Sequence, residues 1–253
     1  MLIIIGVDTI LSCTKSAEGL TVELSSNTPL KVFVITTGNE ERVNRIQNYL
    51  KGIDFEFVYS DSYDDLLKLE KEYESYSHKF RQKAIMAGEI GCFKTHSQAW
   101  ELIVASGTPA IVLEDNIEFI GEASRLLADD VLSYIQSCGL VNFTNFCYIL
   151  DPEKPFKISD VKEKKPFPTV CYGITPLRAR DLLSSMRKTA YAVPIDKWLA
   201  IPKLSGCYGY ISPIVVAKRE DNLTSIANKR KGKKTFNPLN MIQRVINKIK
   251  YNY

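Results

Sequence analysis

The feature that most restricts the fold is an alternation of short apolar runs with helical segments in residues 31–59. Lys31–Thr36 reads KVFVIT, which is the pattern of a buried strand. Asn39 can cap a following helix, in which Ile46 and Leu50 recur at helical spacing. Phe55–Tyr59 is the next strand candidate. Strand–helix–strand order is typical of nucleotide-binding α/β sheets, so the fold class is predicted to be α/β.

The rest of the chain continues this alternation. Residues 63–83 and Ala87–Ser106 are helical in character, and Ala110–Leu113 is a strand that follows the break at residues 107–109. The sequence predicts further elements along the remaining chain: helices at Val131–Ile135 and Arg178–Met186, strands at Asn145–Leu150 and Pro213–Ala217, and a mobile loop at Asp151–Pro168. Helices are therefore expected to flank a mixed sheet.

Length and composition suit one main domain. The chain has 253 residues, of which 45% are hydrophobic, and this is enough to bury a substantial core. We expect the main domain at residues 1–227 and a basic tail at 228–253. Within the main domain, residues 1–30 form an extension whose apolar stretches Leu2–Val7 and Leu20–Leu24 could be an added pair of strands.

The cysteines and the apolar runs bear on the compartment. Six cysteines are scattered without a C-x-x-C pair, which argues against a disulfide framework and a structural zinc site and fits a reducing compartment. No apolar run approaches the ~20 residues of a membrane span. Leu2–Ile5 is too short for the apolar region of a signal peptide. The expected location is therefore the cytoplasm.

The net charge of +4 conceals a strongly basic tail. From Asn222 onward there are eight Lys and Arg residues and no Asp or Glu, so residues 1–221 carry −4. Within the tail, Leu239, Ile242 and Ile249 recur at helical spacing among basic residues, which predicts a basic amphipathic helix. Such a helix can lie on an anionic inner-membrane surface, or it can pack on the main domain. Nucleic acid is not an expected partner, since no recognition motif accompanies the basic residues.

The strongest chemical signal is the triplet Glu114-Asp115-Asn116, which follows the strand Ala110–Leu113 directly. Ligands of open α/β sheets bind beyond the carboxyl ends of the strands, so these side chains could face a ligand. Oxygen ligands there could hold a divalent ion against a diphosphate. Taken alone, the triplet could equally be a solvated turn, because Asp and Asn are common in turns.

The surrounding residues resemble glycosyltransferase family 25, the lipooligosaccharide galactosyltransferases of Gram-negative bacteria. Residues 88–96 read GEIGCFKTH and residues 110–115 read AIVLED, which is similar to the family's G-E-[IV]-G-C-x-x-S-H segment and L-E-D-D strand end. The resemblance continues through other segments in order: Val32–Thr37 with Glu41-Arg42, Thr169–Tyr172, Pro194-Ile195-Asp196, Pro213–Val215, Asp221 and Ser225-Ile226. It covers about residues 31–226.

The resemblance implies a GT-A fold that uses a UDP-sugar, commonly UDP-galactose, and a lipooligosaccharide or lipopolysaccharide acceptor. An inverting enzyme needs a general base beside the acceptor hydroxyl. Asp196 is the first candidate for that base, although it could instead cap a helix. Asp221 and Glu220 are the alternatives, as base or as a further metal ligand.

The resemblance also implies the donor site. The implied donor-binding residues are Thr36, Thr37, Arg42, Glu89, His96, Glu114, Asp115 and Tyr172. The implied metal ligands for Mn²⁺ or Mg²⁺ are Glu114, Asn116 and Glu220. Asn116 stands where the family usually has Asp, which predicts weaker metal affinity or metal-independent activity. His96 could instead be hydrogen-bonded in the core.

Two other functions remain open at this point. One is transfer from UDP-glucose or a UDP-N-acetylhexosamine, since nothing in the sequence selects the sugar. The other is a non-catalytic protein that binds sugar or membrane, in which the third acidic position has been lost. The expected localisation is cytoplasmic with peripheral association with the inner membrane.

Overall fold

The structure is a computed structural model that describes most of the chain from Leu30 onward. The described residues are 14–16, 19–21, 30–81, 84–144, 153–161, 166–189, 191, 193–220 and 238–251. Two short strands, β1 (Thr14–Ser16) and β2 (Gly19–Thr21), pair with each other in antiparallel fashion.

A mixed seven-stranded sheet forms the centre of the molecule. Its strands are β3 (Lys31–Thr36), β4 (Glu56–Tyr59), β5 (Ala110–Glu114), β7 (Leu140–Asn142), β8 (Phe156–Lys157), β9 (Cys171–Ile174) and β10 (Tyr210–Ile211), in the spatial order β4-β3-β5-β9-β7-β10-β8. β3 is parallel to both β4 and β5, whereas β9 is antiparallel to β5 and β7. β10 is parallel to β7 and antiparallel to β8. The carboxyl ends of β3, β4 and β5 therefore meet at one edge of the sheet.

Helices cover both faces of this sheet. They are α1 (Glu40–Tyr49), α2 (Tyr63–Ser77), α3 (Ala87–Ser106), α4 (Asp129–Cys138), α5 (Pro176–Thr189), α6 (Ile195–Ala200) and α7 (Pro202–Ser205), with 3₁₀ turns at Ala123–Leu127 and Ile158–Asp160. The side chains of β3 alternate between two cores because successive residues of a strand point to opposite faces. Phe33 packs on the side of α3, α5 and α6, and Val34 on the side of α1 and α4.

A small antiparallel ribbon brings a late segment of the chain to the end of β5. Its strands are β6 (Ile117–Phe119) and β11 (Ala217–Arg219), and Arg219 lies opposite Ile117 in the register. The next backbone N–H, that of Glu220, donates to the carbonyl of Asn116 at 2.9 Å. This ribbon therefore places residues 219 and 220 beside a triplet that lies a hundred residues earlier.

The last helix, α8 (Pro238–Tyr251), packs on the main domain by one end and exposes most of its apolar side chains. The Asn247 side-chain amide donates to the carbonyl of Lys79 at 2.8 Å, and the rings of Tyr251 and Phe80 are 5.7 Å apart. Six apolar residues of α8 remain exposed: Leu239, Met241, Ile242, Val245, Ile246 and Ile249. Among the described helices, none has the length and apolar content to cross a membrane.

The α/β prediction and the flanking helices are confirmed, with corrections at particular strands. The last predicted strand, Pro213–Ala217, is wrong in position, because the ribbon pairing begins only at Ala217. The predicted loop Asp151–Pro168 contains β8 and a 3₁₀ turn. The predicted strands Asn145–Leu150 and Leu2–Val7 lie outside the described residues.

Gly173 in β9 allows α4 to pack closely on the sheet. A Cβ at this position would meet Cγ1 and Cδ1 of Ile135 well inside van der Waals contact, and Cε2 of Phe143 at 3.0 Å. We expect Gly173→Ala to lower the free energy of unfolding by about 1–3 kcal/mol, as overpacked cores do. Urea unfolding measures this loss.

The same close contact gives the control. Ile135→Ala alone should destabilise by about 2–5 kcal/mol, since it leaves a cavity. The double variant Gly173→Ala/Ile135→Ala should lose less than the sum of the two single losses, because the smaller side chain makes room for the new methyl group. If the two single losses simply add, contact between the new methyl group and Ile135 is not the cause of the destabilisation by Gly173→Ala.

Candidate functional site

A cavity of about 370 Å³ opens at the carboxyl ends of β3, β4 and β5. We call it the strand-end cavity. Its walls are the strand ends and the N-terminal halves of α2 and α3, and the residues that line it include Thr36, Thr37, Arg42, Ser60, Asp61, Tyr63, Gly88, Gly91, Cys92, Thr95, Glu114, Asp115 and Asn116. Its size is within the range of small-molecule sites, about 300–1,000 Å³.

The triplet Glu114-Asp115-Asn116 forms one wall of this cavity and is buried. The exposed fractions of the three residues are 9%, 5% and 8%. A solvated turn would leave these side chains in water, so that interpretation is wrong. Buried carboxylates must be compensated by hydrogen bonds or opposite charge, and each one here has such partners.

Asp115 joins β5 to β3 and α1. Its Oδ2 accepts a hydrogen bond from the Thr36 hydroxyl at 2.7 Å, and its Oδ1 lies 3.3 Å from Nη1 of Arg42. Its backbone carbonyl accepts from Nη2 of Arg45 at 3.0 Å. The predicted donor-site residues Thr36, Arg42 and Asp115 are therefore in direct contact.

Glu114 is held from three sides. The Thr169 hydroxyl donates to Oε1 at 2.6 Å, Nη2 of Arg219 lies 3.4 Å from Oε2, and Nε2 of His96 lies 3.7 Å from Oε1. Burial alone would raise the pKa of Glu114, but the interactions with His96, Arg219 and Thr169 outweigh it and lower the pKa to about 2. Glu114 is therefore an anion at neutral pH.

A chain of hydrogen bonds lies behind Glu114. Nε1 of Trp100 donates to the Tyr172 hydroxyl at 2.8 Å, and this hydroxyl lies 2.9 Å from Nδ1 of His96. All three side chains are fully buried. His96 and Tyr172 are thus core residues that do not line the cavity, and they act on it through Glu114.

Three arginines each compensate one carboxylate around the triplet. Arg42 pairs with Asp115, Arg219 with Glu114, and Arg45 with Glu220. These arginines come from α1 and from the ribbon. The excess negative charge that a triplet of this kind suggests is therefore largely neutralised by the protein itself.

Two of the three expected Mn²⁺ or Mg²⁺ ligands are already paired with arginines in this arrangement. The carboxylates of Glu114 and Glu220 are directed to different arginines, and no three carboxylates converge within the described part of the chain. Asn116 Oδ1 is buried and has no hydrogen-bond partner, so it remains available as a ligand. A hard cation favours several oxygen ligands without competing partners, and of the three expected ligands Asn116 alone meets that condition here.

Asp196 lies in the first turn of α6, and Pro194 is the capping residue. Its Oδ1 accepts from the Lys197 backbone N–H at 2.8 Å. Burial raises the pKa of the Cys92 thiol well above its ordinary value, and the charges of Glu114 and Asp196 add to this. Asp196 is not the capping residue of α6, and it is not among the residues that line the strand-end cavity. Asp221 lies outside the described residues.

Glu89 stabilises the start of α3. Its Oε2 accepts from the Met86 N–H at 3.1 Å and pairs with Nη1 of Arg81 at 2.9 Å. A glutamate at this position satisfies a backbone N–H of the first turn. Glu89 does not line the strand-end cavity.

Sequence reasoning missed several residues of the site. Asp61 lies two residues beyond the end of β4, lines the cavity and pairs with Lys94, so the rule on strand ends could have found it. Arg45, Thr169 and Arg219 gave no such signal, because they reach the triplet only through the folded sheet and the ribbon.

The hydrogen bonds of Tyr172 give a testable prediction. Tyr172→Phe should lower the free energy of unfolding by about 1–3 kcal/mol, because it leaves the buried Trp100 N–H without an acceptor. Tyr210→Phe, at a half-buried tyrosine of β10, should change it by less than about 0.5 kcal/mol. Urea unfolding compares them, and equal small losses would contradict a stabilising role for the buried hydroxyl.

Comparisons with known proteins place the chain in a family. The model of glycosyltransferase family 25 (LPS biosynthesis protein) matches residues 30–199. A curated relative from Rattus norvegicus, named "Probable inactive glycosyltransferase 25 family member 3", is 26% identical over 134 residues, which cover 50% of this chain and 23% of the relative. The chain thus spans less than a quarter of that relative's length. The match contains the triplet, the Gly-Glu-Ile-Gly-Cys helix and Asp196, and the chain belongs to glycosyltransferase family 25.

Proposed function

We propose that this chain is an inverting GT-A-type glycosyltransferase that takes a hexose from a UDP-sugar in the strand-end cavity. Family membership supports a glycosyltransferase. The observation that carries the finer proposal is the buried triplet on the wall of a cavity of about 370 Å³ at the carboxyl ends of three parallel strands. That edge is where α/β sheets bind nucleotides.

The diphosphate of the donor needs positive charge as it leaves. Arg42 lines the cavity at 12% side-chain exposure, and Arg45 and Arg219 flank the same triplet. Guanidinium groups bind phosphate oxygens in a bidentate manner, and they stabilise charge best in a partly desolvated site. We assign the diphosphate to this group of arginines.

The acceptor hydroxyl needs a base, and Asp196 is the described carboxylate that best suits this role. It is half-buried in the first turn of α6 and lies within the segment that matches the family. In the proposed step the hydroxyl proton passes to Asp196, the acceptor oxygen bonds to the anomeric carbon, and the bond from that carbon to the diphosphate breaks. UDP leaves with the electron pair, and the anomeric centre is inverted.

The proposed sugar and acceptor follow the family. Galactose from UDP-galactose is the first candidate, transferred to a lipooligosaccharide or lipopolysaccharide sugar. UDP-glucose and the UDP-N-acetylhexosamines are the alternatives. A panel of these donors, assayed by UDP release with Mn²⁺ and with EDTA, ranks the sugars and tests whether turnover needs a hard cation.

A second candidate function is a non-catalytic protein that binds sugar. It is favoured by Asn116 at the third triplet position and by the name of the rat relative, which describes that protein as probably inactive. UDP binding without turnover on any donor would support this function over the enzyme.

The proposed base gives a prediction on activity. Asp196→Asn should lower turnover by about 10²–10⁴-fold, because general base catalysis contributes that much, and it should leave UDP affinity unchanged. Asp129→Asn changes an exposed aspartate in the first turn of α4 and is the matched control. Full activity of Asp196→Asn would exclude Asp196 as the base.

We also propose that α8 attaches the protein peripherally to the anionic, cytoplasmic face of the inner membrane. Six apolar residues of the helix are exposed, and Lys248 and Lys250 lie in its last turn. Apolar burial and attraction to anionic headgroups together hold such helices at a membrane surface.

Changing three exposed residues of α8 tests this attachment. The triple variant Leu239→Ser/Ile242→Ser/Ile249→Ser should bind vesicles with phosphatidylglycerol at least about tenfold more weakly, since each of these side chains would bury apolar area in the lipid. Asn247 and Tyr251, which pack on the main domain, are unchanged. Vesicle flotation measures binding, and wild-type binding by the variant would contradict the proposal.

A further inference from the structure

Three potential metal ligands lie together, two of them on the wall of the strand-end cavity and one buried behind it. One ligand atom each from Cys92, His96 and Glu114 lies within 4.8 Å of the others. No other group of three or more His, Cys, Asp or Glu residues comes this close within the described parts of the chain. The donors are a sulfur, a nitrogen and an oxygen, which is a different set from the carboxylates that Mn²⁺ or Mg²⁺ prefers.

The fold directs these three atoms to one point. Cys92 and His96 are four residues apart on α3, so both project from the same face of the helix. Glu114 ends β5, and its Oε1 lies 3.7 Å from Nε2 of His96. The spacing of four residues on one helix therefore brings the Cys92 sulfur and the His96 nitrogen together.

The separation of His96 and Glu114 distinguishes a metal site from a hydrogen bond. Nε2 of His96 and Oε1 of Glu114 are 3.7 Å apart, which is too long for a hydrogen bond. Two ligand atoms of one tetrahedral zinc ion are roughly 3.3–3.8 Å apart, given bonds of about 2.0–2.3 Å. The longest separation in the group exceeds this by about 1 Å, which a side-chain rotation can close.

His96 Nε2 needs a partner. The side chain is fully buried, and this nitrogen makes no hydrogen bond. A buried polar atom without a partner is unfavourable, so such an atom beside a thiol and a carboxylate suggests a missing ligand. Nδ1 of His96 lies 2.9 Å from the Tyr172 hydroxyl and Nε2 faces Glu114, so Nε2 is the nitrogen that a metal would bind.

The groups around these ligands match the surroundings of a metal centre. Bound imidazoles usually have a hydrogen-bond partner at their other nitrogen, and bound carboxylates are themselves hydrogen-bonded. Tyr172 is that partner for His96, and Thr169 and Arg219 hold Glu114.

We propose that Cys92, His96 and Glu114 bind one Zn²⁺-class ion, whose fourth position is open to the strand-end cavity. Cys92 and Glu114 line the cavity, so a water or a phosphate oxygen can reach that position. Three protein ligands and one open position are typical of functional zinc sites. On binding, the Cys92 thiol releases its proton to solvent and the thiolate bonds to the metal. The metal site does not depend on the proposed function. Contact between the bound metal and a donor phosphate does depend on it.

Metal titration of the EDTA-treated, full-length protein tests the site. Calorimetry with Zn²⁺ should show one ion per chain, and Co²⁺ should give a thiolate-to-cobalt absorption band in the near ultraviolet. Cys92→Ser should abolish this band and weaken Zn²⁺ binding by at least about 100-fold, since even outer partners of metal ligands are worth 10–100-fold. Cys138→Ser, at a half-buried cysteine of α4, should bind as the wild type does.

The proposal is overturned if the wild type binds no Zn²⁺ at one equivalent, or if Cys92→Ser keeps the cobalt band. The wild-type titration tests whether the protein binds Zn²⁺ even if the Cys92→Ser variant fails to fold. UDP binding and UDP-sugar turnover are measured on the same samples. Turnover without Zn²⁺ binding rejects the metal site alone, and Zn²⁺ binding without UDP binding or turnover rejects the proposed function alone.

Discussion

The burial of three polar side chains at the end of β5 is the constraint on which the rest of the site depends. A carboxylate removed from water must gain hydrogen bonds and opposite charge, or the strand end would not be stable in this position. Glu114 and Asp115 obtain both, from threonines and from arginines. The elements that supply these partners are β3, α1, the segment before β9, and the ribbon. These elements surround the cavity in positions that supply hydrogen bonds and positive charge to Glu114 and Asp115.

The same requirement separates the two layers of the site. Facing the cavity are groups that can exchange one partner for another, such as Arg42 on Asp115. Behind them is a layer with fully buried aromatic rings, in which Trp100 and Tyr172 hold His96. This arrangement suits a site that must bind and release a charged ligand. The buried layer holds the geometry of the site while the ionic partners at the cavity change.

Local patterns in the sequence predict the scaffold well and the charge pairing poorly. β3, β5 and α3 were predictable, since their apolar residues repeat at strand or helix spacing. The burial of the triplet was not, because it depends on Thr36 and Arg42, which are 79 and 73 residues away from Asp115. Arg219, 105 residues from Glu114, carries no local mark of its role. The last strand was misplaced for the same reason, since its bounds are set by pairing with β6.

The ribbon has a consequence for the order in which the protein is made. Synthesis proceeds from the N-terminus, and domains fold as their segments emerge from the ribosome. A nascent chain of two hundred residues already contains the triplet, the Gly-Glu-Ile-Gly-Cys helix and Asp196, yet it lacks Arg219 and Glu220. Until β11 pairs with β6, neither Arg219, the partner of Glu114, nor Glu220, the partner of Arg45, is in place. Closure of a three-residue ribbon is thus the step that brings the last charged partners to a nascent binding site.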